Sequence, residues 1–196
     1  DGNNAGIRRA RGKYVVFLNN DTEVPSDWLR NLMLAAESDR RIGACGGKVL
    51  MFDERNVITD VGILCDKYGF PFVRGNREVD NHQYDFVTDV FYVPGAALLV
   101  KQEVLKTVGL FDPTYFAFVE DMDLCWRIHL AGYRVVVNPL ARVYHKGGGT
   151  EPPDSAYSGR IIRVSSTRHY LFERNMIRTL LKNYGGATLL KIMPCY

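Results

Sequence analysis

Lys13-Tyr14-Val15-Val16-Phe17-Leu18-Asn19-Asn20-Asp21 is the stretch on which the reading of the fold turns. Lys13 to Leu18 is dense in β-branched and aromatic residues and shows no polar alternation. That is the pattern of a strand buried on both faces. Two amides and an acid follow at once. In open α/β sheets ligands bind beyond the carboxyl ends of the strands, which makes Asn19, Asn20 and Asp21 candidate ligand-facing residues. A carboxylate there can hold a hard divalent cation that also touches phosphate oxygens. Asn and Asp also start turns by bonding their own backbone, and that plainer reading stands beside the first.

Outward from this strand the pattern alternates. Upstream, Asn3 to Arg11 reads as a short helix stopped by Gly12. Downstream, Ser26 is placed to cap a helix through about Ser38, with Trp28, Leu29, Leu32, Ala35 and Ala36 as its apolar stripe. Ile42 to Phe52 reads as a strand in which Gly43, Gly46 and Gly47 signal close backbone approach. Asn56 to Phe91 is irregular, with turns at Gly62, Gly69, Pro71 and Gly75. Strands are expected at Val87–Tyr92 and Ala96–Val100 around a Pro94-Gly95 turn. Helices follow at Gln102–Val108 and Glu120–Leu130, a strand at Arg134–Val137, and a long Arg-rich helical tract from Tyr157 to Tyr184. The order predicts an α/β fold with a mixed central sheet flanked by helices.

Composition agrees with a folded, soluble chain. The 196 residues are 46% hydrophobic and 24% charged, with a net charge of +3. That excludes wholesale disorder, and so weak and evenly spread a charge gives no footprint for nucleic acid. No apolar run is long enough to span a bilayer. Cys45, Cys65, Cys125 and Cys195 are scattered without a C-x-x-C pair, and read as incidental thiols in a reducing compartment. P-loop, G-x-G-x-x-G, G-x-S-x-G and H-E-x-x-H signatures are absent.

Three further segments carry chemistry. In Phe116-Ala-Phe-Val-Glu120-Asp121-Met-Asp123-Leu-Cys-Trp126-Arg127 the acids fall in the first turn of a helix, where the macrodipole favours them. Flanking aromatics would raise a carboxyl pKa toward that of a general base. Asp121 shares a face with Leu124, Cys125 and Ile128, whereas Asp123 points elsewhere, so Asp121 is expected to be the buried, functional acid. His145-Lys-Gly-Gly-Gly149 ends a strand, where an imidazole can ligate a metal; His82, His129 and His169 have no such setting. Pro94-Gly95-Ala96-Ala97 supplies either a pocket floor or simply a tight turn.

Together these segments resemble the inverting family 2 glycosyltransferases of GT-A fold, in particular their rhamnosyltransferase-like branch. The matching pieces are Gly2-Asn-Asn-Ala-Gly-Ile7, Ala10-Arg-Gly12, Phe17-Leu-Asn-Asn-Asp-Thr22, Pro94-Gly-Ala-Ala97, Gly109-Leu-Phe-Asp112, Glu120-Asp-Met-Asp-Leu124, Trp126-Arg127, Ala131-Gly-Tyr133 and His145-Lys-Gly147. The resemblance implies that Asp21 and His145 bind a divalent metal (Mg or Mn), with Asn19 standing where the family's motif has its first acid. It implies Asp121 as catalytic base, and Asn4, Asn19, Asn20, Gly95, Ala96, Glu120, Trp126 and Arg127 as donor and acceptor contacts.

The substrates so implied are a nucleoside-diphosphate sugar and a saccharide or lipid-linked acceptor. Residues 1–150 would be the later part of a GT-A catalytic domain, lacking the nucleotide-binding strands that come first in the family, and 151–196 a helical extension. Arg160, Arg163, Arg168, Arg174, Arg178 and Lys182 form a candidate contact with an anionic membrane at the cytoplasmic side. A catalytically inert nucleotide- or sugar-binding module and a sugar nucleotidyltransferase of similar fold are the alternatives.

Overall fold

In the computed structural model, which describes residues 2–147 and 166–192, the run that decides the fold is strand β1 (Tyr14–Leu18). It pairs antiparallel with β8 (Ala97–Lys101), Leu18 opposite Ala97. β8 runs antiparallel to β3 (Ile42–Met51), and β3 lies parallel to β9 (Arg134–His145). The two-residue β2 (Thr22–Glu23) pairs with the end of β9. β4 (Ile58–Asp60) joins β3 and β7 (Thr88–Asp89) joins β9, making one mixed sheet of seven strands. β5 (Ile63–Cys65) and β6 (Pro71–Val73) form a small antiparallel pair of their own.

Helices cover both faces of the sheet. On one, α2 (Trp28–Ser38) lays Trp28, Leu32, Ala35 and Ala36 over Cys45, Val49, Leu99 and Val136. On the other, α1 (Gly2–Arg9), α3 (Gln102–Val108) and α4 (Glu120–Leu130) bring Ile7, Val104, Leu105, Leu124 and Ile128 against Val15, Phe17, Leu98, Val100 and Val135. Neighbours such as Leu98 and Leu99 serve opposite faces, as the twofold period of a strand requires. Both faces are dry, so the strands read as unbroken apolar runs. A third cluster, with Tyr115, Val119, Met122, Trp126, Met176 and Leu180, ties α4 to α5 (Ser166–Asn183); α6 (Gly186–Ile192) follows.

Several boundaries differ from the sequence reading for identifiable reasons. Asp27, not Ser26, precedes the first residue of α2, and no side chain caps it. The Pro25 carbonyl accepts the Trp28 N–H at 3.1 Å instead. The strand expected at Arg134–Val137 runs on to His145, through Pro139. Proline is tolerated because the ladder with β3 slips there: Gly47 faces Asn138, but Lys48 faces Arg142. Asn138 secures the bulge, its Oδ1 accepting from Leu140 N–H at 3.1 Å and its Nδ2 donating to the Asn31 carbonyl at 2.8 Å. A Cβ on Gly47 would lie 1.7 Å from the Ala141 carbonyl oxygen, and one on Gly46 would lie 2.0 Å from Val93 Cγ1. These glycines are the close approaches that the sequence signalled. The strand expected at Val87–Tyr92 keeps only Thr88–Asp89, because Phe91 and Tyr92 turn their N–H groups to Ile63.

Cys45, Cys65 and Cys125 are unpaired, and burial pushes each thiol pKa up to about 12. Among the described residues no helix is long and apolar enough to cross a membrane. Arg160, Arg163, Gly148, Gly149, Cys195 and the start of the helical tract at Tyr157 lie outside the described residues.

Candidate active site

The register between β1 and β8 sets the site. With Leu18 opposite Ala97, the next residue along, Asn19, gives its backbone N–H to the Ala96 carbonyl at 2.8 Å. The Pro94–Ala96 turn therefore lies against the segment that carries Asp21. From that turn the Gly95 N–H donates to Asp121 Oδ2 at 2.9 Å, while the Met122 N–H donates to Oδ1 at 2.8 Å. One bonded path thus runs from Asn19 through Ala96 and Gly95 to Asp121. Burial raises the Asp121 pKa above the usual carboxylate range, opposed by its backbone hydrogen bonds. At Glu120, burial first and the Asp121 charge second push the pKa up to about 7, and Oε2 is buried without a partner. A carboxyl with a pKa of about 7, as at Glu120, is suited to proton transfer near neutral pH.

A second pair forms where β2 meets β9. Thr22 lies opposite His145, and the Lys146 N–H donates to the Asp21 carbonyl at 3.0 Å. This brings Asp21 Oδ2 within 3.2 Å of His145 Nε2. The two are not aligned as a hydrogen bond, and Nε2 is buried without a partner. A carboxylate converging with an orphaned imidazole nitrogen is a donor set that fits manganese or magnesium, with phosphate and water completing the shell. No group of three or more His, Cys, Asp or Glu that could hold a metal occurs among the described residues. Among the described residues, this pair is therefore the carboxylate and imidazole contribution to such a site. Asn19 and Asn20 are exposed at the same strand end.

The expectation about the α4 acids is reversed in one respect. Asp123 is the wholly buried acid, and Asp121 is only half-buried. Asp123 binds Arg127 at 2.9 Å, Lys182 at 3.0 Å and Asn183 Nδ2 at 3.1 Å. Helical periodicity located the face packed on the sheet; it could not show that α5 covers the next face as well. Asp121 keeps part of its surface exposed, which Asp123 does not.

Three other candidates are engaged by the fold. Asn4 is latched to the backbone of Phe111, donating to its carbonyl at 2.7 Å and accepting its N–H at 3.1 Å. Trp126 sits edge-on between the rings of Phe91 and Tyr184, at 5.0 and 4.7 Å. Arg127 donates to the carbonyls of Val108 and Leu110 as well as to Asp123, tying α4 to the end of α3. The cations named for a membrane face also work inward. Arg174 and Arg178 bond to the carbonyls of Tyr115 and Thr114, and Lys182 pairs with Asp112 and Asp123.

The sequence reading missed Asp60. It ends β4 at 6% exposure, accepts the Gly62 N–H at 3.2 Å and stands in the field of Asp121. Burial pushes its pKa up to about 7. An acid two residues before a glycine in an irregular stretch looks like any turn acid, so no sequence signal marked it.

Comparison with known proteins shows the family and the fold. The sequence profile described as Glycosyl transferase family 2 matches residues 1–108. Over 161 residues the chain is 30% identical to the O-antigen biosynthesis protein RfbC of Myxococcus xanthus, covering 78% of this chain and 12% of that protein. Over 144 residues it is 28% identical to the rhamnosyltransferase WbbL of Escherichia coli (strain K12), covering 70% and 54%. The chain thus spans less than two thirds of either relative. The solved structure of GalNAc-T7 with UDP, GalNAc and Mn2+ superposes with a TM-score of 0.62 at 18% identity, covering 90% of this chain and 34% of that one. That likeness concerns the fold, which is the GT-A arrangement. With the family profile matched over more than half its length, the chain belongs to glycosyl transferase family 2.

Proposed function

We propose that the protein moves a sugar from a nucleoside-diphosphate donor to a saccharide or lipid-linked acceptor, in one step and with inversion, as part of envelope polysaccharide assembly. The observation that carries this reading is the Asp121 carboxyl: held by Gly95 and Met122, raised in pKa by burial, and half-open at the strand ends. Asp121 takes the proton of the acceptor hydroxyl as that oxygen bonds to the anomeric carbon and the bond to the diphosphate breaks. One base suffices, since no glycosyl-enzyme forms, in contrast to double-displacement hydrolysis. Asp21 and His145 would hold the divalent cation, which when bound supplies charge neutralisation at the departing diphosphate. The names of RfbC and WbbL support a saccharide product, and the manganese and UDP of GalNAc-T7 support the donor class. With this reading goes a cytoplasmic location and contact of the C-terminal helices with the inner membrane face.

Donor hydrolysis and transfer by the full-length protein, measured with manganese and a panel of nucleoside-diphosphate sugars, test the proposal. Asp121→Asn is expected to lower transfer about 10^3-fold while leaving manganese-dependent UDP binding intact. Near-normal turnover in that variant would remove Asp121 from the role. UDP binding by the parent protein with neither hydrolysis nor transfer would favour the inert-module reading.

A further inference from the structure

The β5–β6 pair is anchored at both ends. At its base the Ile63 carbonyl accepts the N–H groups of Phe91 and Tyr92 at 2.8 and 3.1 Å. At its tip the Tyr184 hydroxyl donates to the Lys67 carbonyl at 3.0 Å. The face it presents is nonetheless apolar and exposed. Leu64 stands opposite Phe72, and Phe70, two residues before Phe72, falls on the same side of the strand. Phe86 joins them through Arg74, whose guanidinium lies 5.4 Å from the Phe86 ring. Leu64, Phe70, Phe72 and Phe86 are each between 43% and 56% exposed. Single exposed apolar residues are ordinary, whereas a grouped set of large ones marks an interaction surface.

The charges beside this face are unequally engaged. Asp66 accepts the N–H groups of Tyr68 and Phe70, and Glu78 accepts from the Tyr84 hydroxyl. Asp80 and Asp85 bind Lys48, and Asp89 binds Arg134. The cations are left over. Lys67 is exposed at the tip, its ammonium 5.0 Å from the Tyr68 ring. Arg74 rests over the rings of Tyr84, at 4.6 Å, and Phe86, and its Nη1 is buried without a hydrogen-bond partner. Among the described residues neither cation pairs with a carboxylate. The cations of α5 differ in this respect, since Arg174 and Arg178 bond to carbonyls and Lys182 to acids of the fold.

We infer that the β5–β6 face is a membrane-docking surface: Leu64, Phe70, Phe72 and Phe86 enter the interface of a bilayer, and Lys67 and Arg74 pair with the phosphates of anionic phospholipid. Apolar and aromatic side chains flanked by Lys and Arg bind such an interface through buried area and charge together. A guanidinium without an acceptor is matched by a phosphate oxygen. A second copy of the chain is the other occupant such a face admits. A twofold contact would set the same unpaired cations against each other, so the charge favours lipid. The edge of β6 is poorly suited to adding a strand, being three residues long with Pro71 among them. The inference concerns how the chain meets a membrane and is independent of the base and metal assigned above.

Flotation of the full-length protein with vesicles of phosphatidylcholine, alone or mixed with phosphatidylglycerol, tests it, with hydrogen exchange read on the same samples. The expected result is binding to the mixed vesicles and slower amide exchange across residues 64–74 when they are present. The double variant Phe70→Ser/Phe72→Ser is expected to lose affinity about tenfold or more. Arg74→Gln is expected to lose about fivefold on the mixed vesicles alone, and Lys67→Gln repeats that test at an exposed site without disturbing the Arg74 stack. Absence of vesicle binding by the parent protein overturns the inference. So does binding with unchanged exchange across residues 64–74, which would put the contact elsewhere in the chain. A dimer that the double variant dissolves, with no vesicle binding, would assign the face to a second copy instead. Transfer to a water-soluble saccharide is expected to be unchanged in these variants, so failure here leaves the transferase reading standing.

Discussion

Asp60, Glu120 and Asp121 make no ion pair among the described residues, and burial raises the pKa of each. Asp123, no less buried, is neutralised by Arg127 and Lys182. A carboxyl whose pKa is raised in the folded state holds a proton that the unfolded chain has already released. Its contribution to stability is therefore complete below the ordinary carboxylate value and is lost as pH rises toward the folded value. For Asp60 that window runs from 3.8 to about 7. Asp60→Asn keeps the shape and the Gly62 contact while removing the titration. The variant is expected to exceed the parent in stability at pH 8 by about 2–4 kcal/mol and to match it at pH 3. Urea midpoints at the two pH values check this. A variant no more stable than its parent at pH 8 would mean that the Asp60 charge has a partner in solution. Asp121 could be read from the Glu-Asp pair opening a helix, but its relation to Asp60 arises only when β4 folds back on β3.

α5 shows how an element remote in sequence shapes the site. The segment before α4 contains three non-glycine residues of positive φ, Phe116, Phe118 and Val119, and Asn175, wholly buried on α5, answers three of its carbonyls. Asn175→Leu fills similar space but removes the side-chain donor to the part-buried Ala117 and Phe118 carbonyls, while the Tyr115 carbonyl keeps its bonds from Arg174 and the Ala117 N–H. The expected loss is at least about 2 kcal/mol, together with faster amide exchange across residues 115–119. A drop in stability without faster exchange there would show that Asn175 matters only for packing. The elements differ in how far the sequence could define them. Gln102–Val108 and Glu120–Leu130 match α3 and α4 residue for residue, since Gly109 and Gly132 mark their stops and the apolar period lies within each segment. β9 was cut short because Pro139 argues locally against a strand, and only the facing Gly47 makes room for the bulge. The two-residue β2 is held by its partner alone, yet it is what brings Asp21 beside His145. Asp21 and His145 were accordingly legible from the residues as types at strand ends, and their convergence was expected only from the family resemblance.

At the scale of the molecule, the site draws on segments from Asn19 to His145, so its geometry depends on the whole sheet keeping register. The least regular part, residues 52–91, is fixed to that sheet by burial and by charge. Ile58, Val61 and Val90 enter the core, and Lys48, wholly buried on β3, binds Asp80 and Asp85. His82 Nδ1 lies 2.6 Å from the second oxygen of Asp85. Hydrogen bonds from Lys48, then from His82, hold the Asp85 pKa below the usual carboxylate range. A depressed carboxylate pKa contributes stability that is present above its unfolded value and is lost as pH falls through the folded one. Lys48→Met preserves much of the apolar stem but leaves the two acids facing an uncharged strand. Removing one partner from a buried pair costs about 3–5 kcal/mol, and the partial exposure of Asp85 puts this case toward the lower end. The loss is expected in full at pH 7 and to shrink at pH 2, as pH falls through the depressed Asp85 value. Denaturant midpoints for parent and variant at the two pH values decide the point. If the gap is equally wide in acid, Lys48 supports the fold through its stem. If it closes, the charge is what anchors residues 52–91 over β3, and with them the Asp60 carboxyl in the field of Asp121.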